Sequence, residues 1–300
     1  MSEGHHVWFT DDGAQLLARA GEHLAQDPVT STIVATNARR AAEQGMPDGV
    51  PDGWFAVVLD GGGEIAGVAM RMAPFEPYPP YLLAMPDAAA EALAHAVLAR
   101  DGEVGGVGGL RPAADVFAAA VASAAGGSVE VHLHHRLFEL TTLVEPRAVP
   151  GRLRVVRREE AELALEWLRR FFLDADEQAG RDPGHLKGGA GFELAEVYRR
   201  IDAGLLWFWV DEQDRPVHLV GANPPAFGTV RIGPVYTPAE ERGRGWAAAA
   251  VAEVSRQALA RGDRPVLFTD QANPTSNALY ETLGYEPVVD TVQLDVVRPG

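Results

Sequence analysis

Six residues, Arg242-Gly243-Arg244-Gly245-Trp246-Ala247, have the composition of a turn that binds phosphate. Glycine adopts backbone conformations that residues with a Cβ avoid, and its missing side chain lets a ligand approach the backbone. A strand-like run that ends at Val235-Tyr236-Thr237 precedes the turn, and an alanine-rich stretch, 247–260, follows it as a predicted helix. Because a helix start offers unpaired N–H groups and about half a positive charge, the segment predicts a pyrophosphate site.

Two named phosphate-binding motifs do not fit this turn. The P-loop requires Lys and then Ser or Thr after its last glycine, whereas Trp246 and Ala247 follow Gly245. The dinucleotide fingerprint requires a third glycine at the position of Ala248. Taken alone, the hexapeptide is also consistent with an ordinary strand-to-helix connection, so its surroundings have to decide.

The elements around the turn alternate between helices and strands. Three strands form a meander that leads into the turn, and the turn, its helix, one more strand and a last helix follow. The predicted strands are 152–156, 205–210, 216–222, 229–237, 266–269, 287–289 and 292–296, and the predicted helices are 159–172, 193–201, 247–260 and 274–283. A polar, glycine-rich loop is expected over 174–191.

The first half of the chain repeats this order loosely. The predicted helices are 13–25, 32–42, 88–98 and 114–124, and the predicted strands are 54–59, 64–72, 81–85, 104–110 and 129–143. Domains over 1-146 and 152-300 are therefore expected, joined by a linker at 147-151. Divergent duplication explains the repetition, and two unrelated α/β halves are the alternative. The first half has Met85-Pro86-Asp87 where the second has its glycines, and Asp87 would repel a phosphate.

Composition excludes several classes of function. The net charge of −16 argues against a nucleic-acid partner and against docking on anionic lipid, and it mildly favours a cationic substrate. With no cysteine, the chain has no disulfide, thiolate nucleophile or Cys-ligated zinc, and no metal is expected. No run approaches the roughly 18 apolar residues of a membrane span. No signal peptide is visible, so a cytoplasmic protein is expected.

The second half resembles the GNAT superfamily of N-acetyltransferases. That family's first acyl-CoA motif, Arg/Gln-x-x-Gly-x-Gly/Ala, matches Arg242 to Ala247. Its second motif, an Asn followed seven residues later by Tyr in Leu-Tyr-x-x-Leu-Gly-Phe/Tyr, matches Asn273 and Leu279 to Tyr285. The resemblance implies two GNAT-like domains in tandem, each an α/β domain with a mixed, mostly antiparallel sheet flanked by helices. By this resemblance the first would be a degenerate copy, and the second would be the acyl-CoA-binding catalytic domain.

The resemblance also implies roles for individual residues. Acetyl-CoA would be the cosubstrate, and Tyr280 would stand near its sulfur and protonate the departing thiolate. Asn273 would hydrogen-bond the pantetheine arm, and Gly233-Pro234 would separate the strand from its neighbour so that the arm can pair with it. The CoA-binding residues would be Val235, Tyr236, Thr237, Arg242, Gly243, Arg244, Gly245, Trp246, Ala247 and Asn273.

A general base is not evident in the sequence. The family often places a Glu on the third meander strand, but the only charged residue in 229–237 is Arg231. His218 on the neighbouring strand is the first candidate, and Asp174, Asp176 and Glu177 in the expected loop are the others. A chain of water molecules is a further alternative.

The expected activity is N-acetyl transfer by direct attack of an amine on acetyl-CoA, without a covalent enzyme intermediate. The alternative is a non-catalytic acyl-CoA sensor or interaction protein. The acceptor is a small-molecule amine or a peptide N-terminus, with amino sugars and antibiotics also open, and the sequence does not define the oligomeric state.

Overall fold

A computed structural model describes residues 4–47, 50–182, 184 and 192–299. The helices are α1 (Gly13–Gln26), α2 (Thr32–Gln44), α3 (Asp87–Asp101), α4 (Ala113–Ala125), α5 (Ala161–Gln178), α6 (Leu194–Asp202), α7 (Trp246–Ala260) and α8 (Pro274–Thr282). The strands are β1 (His6–Thr10), β2 (Trp54–Leu59), β3 (Ile65–Arg71), β4 (Tyr81–Leu82), β5 (Gly106–Leu110), β6 (Ser128–Leu140), β7 (Arg152–Val155), β8 (Leu206–Val210), β9 (Pro216–Ala222), β10 (Thr229–Tyr236), β11 (Arg264–Asp270) and β12 (Tyr285–Val297). None of these helices combines the length with the apolar composition of a bilayer-spanning segment.

The chain forms two compact units. Unit 1 contains Met1–Arg136 together with Val289–Gly300, and unit 2 contains Leu137–Val288. This grouping differs from the predicted domains 1-146 and 152-300 because β12 contributes its second part to unit 1. Residues Thr291 to Asp295 of that strand pair antiparallel with β5. The predicted boundaries did not anticipate that a strand from the second half would complete the sheet of unit 1.

The two units have the same pattern of strand pairing. In unit 1 the pairs β1–β2, β2–β3 and β3–β4 are antiparallel and β4–β5 is parallel. In unit 2 the pairs β7–β8, β8–β9 and β9–β10 are antiparallel and β10–β11 is parallel. The predicted fold class, a mixed and mostly antiparallel sheet flanked by helices, is therefore confirmed. A repeated pattern of this kind is what a duplication predicts.

In unit 2, helices cover both faces of the sheet. Successive strand residues point to opposite faces, so Phe208 and Val210 pack with α5 and α6 while Trp209 packs with α7. Thirteen buried residues form the α5–α6 layer, including Trp167 and Tyr236. The sheet thus separates a layer that holds α5 and α6 from a layer that holds α7 and α8.

Three predictions about secondary structure are corrected. β1 was not predicted, although it pairs with β2 from His6 to Thr10. The strands predicted at 287–289 and 292–296 are one strand, β12. Asp290 has a low strand propensity, but Arg136 pairs with its carboxylate at 2.6 and 3.0 Å, and this tertiary contact overrides the local preference. The helix predicted to end at 172 continues to Gln178.

Val292→Ala tests whether the C-terminal segment belongs to the core of unit 1. Val292 is 2% exposed, and its truncation should lower the free energy of unfolding by about 2 kcal/mol because two buried methyl groups are lost. Val297→Ala is the matched control, since Val297 is 39% exposed on the same strand, and it should cost less than about 0.5 kcal/mol. Chemical denaturation measures both, and equal costs would contradict the assignment.

Candidate functional site

β10 contains one extra residue relative to its antiparallel neighbour. Ile232 pairs with Ala222 and Val235 pairs with Val220, so three steps along β10 correspond to two steps along β9. The irregularity falls at Gly233-Pro234, where proline has no N–H to donate to a ladder. The strand is bent at the position where the sequence predicted a break.

Beyond this bulge, β10 and β11 separate. Among the described residues, their parallel register joins Thr229–Arg231 to Arg264–Val266 and extends no further. β10 nevertheless continues to Tyr236 and β11 continues to Asp270. The backbone groups of Val235 and Tyr236 that face β11 are therefore left for another partner. An extended ligand with amide groups, such as a pantetheine arm, can add to a strand edge of this kind.

The turn after β10 ends at an uncapped helix start. Gly243 and Gly245 have φ angles of +75° and +87°, in the left-handed region that favours glycine. Gly245 is the residue immediately before α7, and no side chain caps that helix. The first N–H groups of α7, beginning with Trp246 and Ala247, are thus available to an anion. This geometry fits the pyrophosphate site that the sequence predicted.

The two arginines of the turn bind protein groups through their side chains. Arg242 donates to the Thr237 carbonyl at 3.1 Å and to Asp174 Oδ2 at 2.5 Å. Arg244 pairs with Glu241 at 2.9 Å and donates to the Glu240 carbonyl at 3.2 Å. A phosphate at this turn would therefore contact backbone N–H groups first.

The acidic residues predicted in a loop lie on a helix instead. Asp174, Asp176 and Glu177 are in the last turns of α5. Asp176 is fully buried and accepts from Arg181 at 3.2 Å, and such pairing permits a charged residue inside the structure. Glu177 is exposed. Residues 183 and 185–191 of the expected loop lie outside the described residues.

Asp174 joins α5 to the end of β10 and to the turn. Its Oδ2 atom accepts from the Tyr236 hydroxyl at 2.9 Å as well as from Arg242. Burial, and then the hydrogen bond to Asp174, raise the pKa of Tyr236 to about 12. Sequence reasoning missed this network because its members are 62 and 68 residues apart from Asp174, and no local pattern relates them.

Asn273 is the N-cap of α8. Its Oδ1 atom accepts from the Ser276 N–H at 3.1 Å, and its Nδ2 atom donates to Gln178 at 3.2 Å. The side chain is therefore held between the start of α8 and the end of α5. Its implied contact with pantetheine stays a prediction, for which the second N–H of Nδ2 would be the donor.

Tyr280 on α8 is buried next to a second tyrosine. It is 6% exposed, and its ring meets Tyr285 edge to face with centroids 5.9 Å apart. The Tyr285 hydroxyl bonds Ser255 at 2.8 Å, whereas the Tyr280 hydroxyl has no hydrogen-bond partner among the described residues. Burial raises the pKa of Tyr280 above its usual value of 10, so the phenol stays protonated at neutral pH.

His218 on β9 is fully buried beside the end of β10. Its Nδ1 atom lies 2.7 Å from Thr237 Oγ1, and its buried Nε2 atom has no partner among the described side chains and backbone groups. Burial lowers the pKa of His218 to about 3, so the imidazole is neutral in the physiological range. A base this weak takes a proton from an ammonium group poorly.

Unit 1 differs from unit 2 at the corresponding place. Leu82 of β4 is in register with Gly109 of β5, and a Cβ added to Gly109 would lie 2.3 Å from the Leu82 carbonyl oxygen. The two parallel strands are therefore in close backbone contact there. The following helix, α3, has Asp87 in its first turn. Both features support the prediction that the phosphate site belongs to the second half alone.

His132 pairs with Asp295 at 3.0 Å in unit 1. Within the ranges that the structure describes, no cluster of three or more His, Cys, Asp or Glu side chains could hold a metal ion.

The comparisons with known proteins agree with this geometry. Residues 226–294, which include β10, the glycine turn and both motifs, match the family model described as FR47-like protein. No curated protein matches the chain.

Solved structures match nearly the whole chain. A GCN5-related N-acetyltransferase from Sphaerobacter thermophilus is 18% identical with a TM-score of 0.60, and the match covers 99% of this chain and 96% of that one. A GNAT-family acetyltransferase from Colwellia psychrerythraea is 10% identical with a TM-score of 0.57, covering 98% and 100%. A tandem GNAT protein from the clavulanic acid biosynthesis pathway is 14% identical with a TM-score of 0.58, covering 98% and 100%. At sequence identities this low, the structural matches establish the fold alone.

Two independent lines therefore meet in the same part of the chain. The FR47-like match covers residues 226–294, and over nearly all of its length the chain has the fold of GNAT-family acetyltransferases, a tandem GNAT protein among them.

Proposed function

We propose that unit 2 transfers an acetyl group from acetyl-CoA to an amine. The observation that carries this proposal is the separation of β10 from β11 directly before an uncapped helix start with two left-handed glycines. The separated edge suits a pantetheine arm, and the helix start suits a pyrophosphate. The acceptor would be a small-molecule amine or a peptide N-terminus.

In this proposal the backbone supplies most of the contacts with CoA. Val235, Tyr236 and Thr237 would pair with the pantetheine arm as an added strand. The N–H groups of Arg242 to Ala247 would hold the pyrophosphate, with the start of α7 supplying favourable charge. Asn273 would join the pantetheine contacts from the start of α8.

The proposed reaction is a direct acyl transfer. The neutral amine attacks the thioester carbonyl carbon, the new C–N bond forms, the C–S bond breaks, and the electron pair leaves on sulfur. Tyr280 would give its phenolic proton to that thiolate: burial makes the phenol a weaker acid, but the same loss of solvent makes the developing thiolate a stronger base. The proton lost by the attacking nitrogen passes to water, and the phenol is then reprotonated from solvent.

We propose a supporting role for His218 in place of the general base predicted from the sequence. The imidazole of His218 has a pKa of about 3 and no exposed surface, so it is better suited to orienting Thr237 than to removing a proton from the amine. Among the acidic candidates, Asp176 is committed to Arg181. The acceptor's own neutral fraction would then supply the free amine, and water would take up the proton that the ammonium form loses.

The alternative function is a non-catalytic acyl-CoA sensor. The buried state of His218 and the absence of an acidic residue in 229–237 favour it, whereas the protonated Tyr280 favours an enzyme. An assay of CoA release from acetyl-CoA over a panel of amines separates the two. Tight CoA binding without turnover for any amine would support the sensor.

Gly243→Ala should weaken CoA binding. A side chain in the left-handed region costs about 1–2 kcal/mol, and relief of this strain would distort the turn and lower CoA affinity by about tenfold. Gly262→Ala is the matched control, because Gly262 has a φ of +80° and open space around it, as Gly243 does, but follows the far end of α7. Isothermal titration with CoA measures both variants, and equal affinities would argue against the proposed pyrophosphate site.

Tyr280→Phe should lower kcat by about 100-fold and leave the CoA dissociation constant unchanged, because it removes only the proton donor. Tyr285→Phe is the control: it loses the hydrogen bond to Ser255, should cost about 1 kcal/mol of stability, and should keep the wild-type kcat. Steady-state kinetics and thermal unfolding measure the two effects. A wild-type kcat for Tyr280→Phe would show that the proposed acid is wrong.

The pH dependence of kcat/KM should follow the acceptor. Activity should rise with pH as the amine loses its proton, and His218 should add no inflection because its pKa of about 3 lies below the working range. His218→Asn should keep the shape of the profile and lower kcat by about fivefold through Thr237. A loss of about 100-fold or more, together with loss of the acidic limb, would instead identify His218 as the base.

A further inference from the structure

One carboxylate oxygen at the edge of the proposed site has no protein partner in the part of the chain that the structure describes. Both hydrogen bonds to Asp174, from Tyr236 and Arg242, end on Oδ2. Among the described residues, Oδ1 of Asp174 accepts no hydrogen bond, and the side chain is 22% exposed. The carboxylate therefore presents one oxygen to the solvent beside the end of β10.

The partners of Asp174 hold this oxygen in a fixed direction. Tyr236 is 5% exposed and packs against Trp167, so its hydroxyl cannot move far. Since the pKa of Tyr236 is raised to about 12, the hydroxyl keeps its proton and remains a donor to Oδ2. Asp174 is also anchored within α5 by the helix backbone. A preorganised acceptor of this kind binds a cationic donor with little reordering.

Arg242 neutralises the Asp174 carboxylate to an extent that depends on what else its guanidinium binds. Arg242 opens the turn that we propose for the pyrophosphate, and its side chain is 36% exposed. A phosphate at that turn gives the guanidinium a second anion to share, which leaves the Asp174 carboxylate less compensated. The other arginine near Tyr236, Arg170, pairs with Glu166 at 3.0 Å.

The chemistry of transfer limits which cation Asp174 can usefully hold. The attacking nitrogen has to be neutral, and a carboxylate in contact with it would stabilise its protonated form. A carboxylate contact is therefore best suited to a positive group of the acceptor that does not react. That group would bind Oδ1 through a charge-assisted hydrogen bond.

We propose that Asp174 determines acceptor specificity by binding a second, non-reacting positive group, so that preferred acceptors are diamines or similar dications. This inference rests on the proposed acetyl transfer in unit 2. The net charge of −16 would favour the approach of such an acceptor, but it does not determine which of the acceptor's positive groups binds Asp174.

The test compares 1,4-diaminobutane with butylamine, which has the same chain and one amine fewer. Isothermal titration of each into the wild-type protein saturated with CoA should show the diamine binding about tenfold more tightly. Asp174→Asn keeps an oxygen for Tyr236 and Arg242 but removes the charge, so it should reduce this ratio to about one. Each protein is titrated at a CoA concentration that saturates it, because loss of the Asp174 charge also changes what Arg242 offers to a phosphate.

Glu177→Gln is the control, because it removes an exposed carboxylate from the same end of α5 and should keep the wild-type ratio. Equal binding of the two amines to the wild type, absence of binding by both, or a ratio that survives Asp174→Asn would each overturn the inference. If the protein binds the diamine more tightly but releases no CoA from acetyl-CoA, the proposed acetyl transfer is contradicted and the role of Asp174 is not. Failure of the specificity inference and failure of the proposed function are therefore distinguishable.

Discussion

The bulge at Gly233-Pro234 is the feature on which the proposed site in unit 2 depends. Parallel strands that stay in register satisfy each other's backbone groups, and then a ligand finds no free edge. In unit 2 the extra residue bends β10, and its register with β11 ends at Arg231 and Val266. In unit 1 the equivalent strands approach until a Cβ at Gly109 would touch the Leu82 carbonyl. This local irregularity is one difference between two units with the same pairing pattern, and the glycine turn is another.

Sequence reasoning predicted the parts of this site that are local. The glycine turn, the helix after it and the proline in β10 are each visible as residue types at fixed spacing, and the structure has them at the predicted positions. Periodicity also predicted most helices and strands of both halves. It did not predict β1, the continuity of β12 or the last turn and a half of α5. In β12, an ion pair with the distant residue Arg136 outweighs local propensity, whereas at the end of α5 Asp176 pairs with Arg181 just beyond the helix.

The functional detail that sequence reasoning missed is long-range. Asp174 meets Tyr236 and Arg242 only because α5 packs across the sheet above the end of β10. His218 illustrates the same limitation in the opposite direction. Its residue type and strand suggested a base, but burial decides its pKa, and burial depends on the packing of the whole layer. Residue identity defines what a side chain can do, and the surroundings decide which protonation state it keeps.

The place of Val289–Gly300 in unit 1 has a consequence for synthesis on the ribosome. Chains are made from the N-terminus, and their domains usually fold in that order. Here unit 2, the second in the chain, receives its last residue before unit 1 does. Unit 2 has all of its residues once Val288 has been made, whereas unit 1 still lacks the strand that pairs with β5. Until that strand has been made, β5 has an unpaired edge, and another nascent chain can pair with it incorrectly.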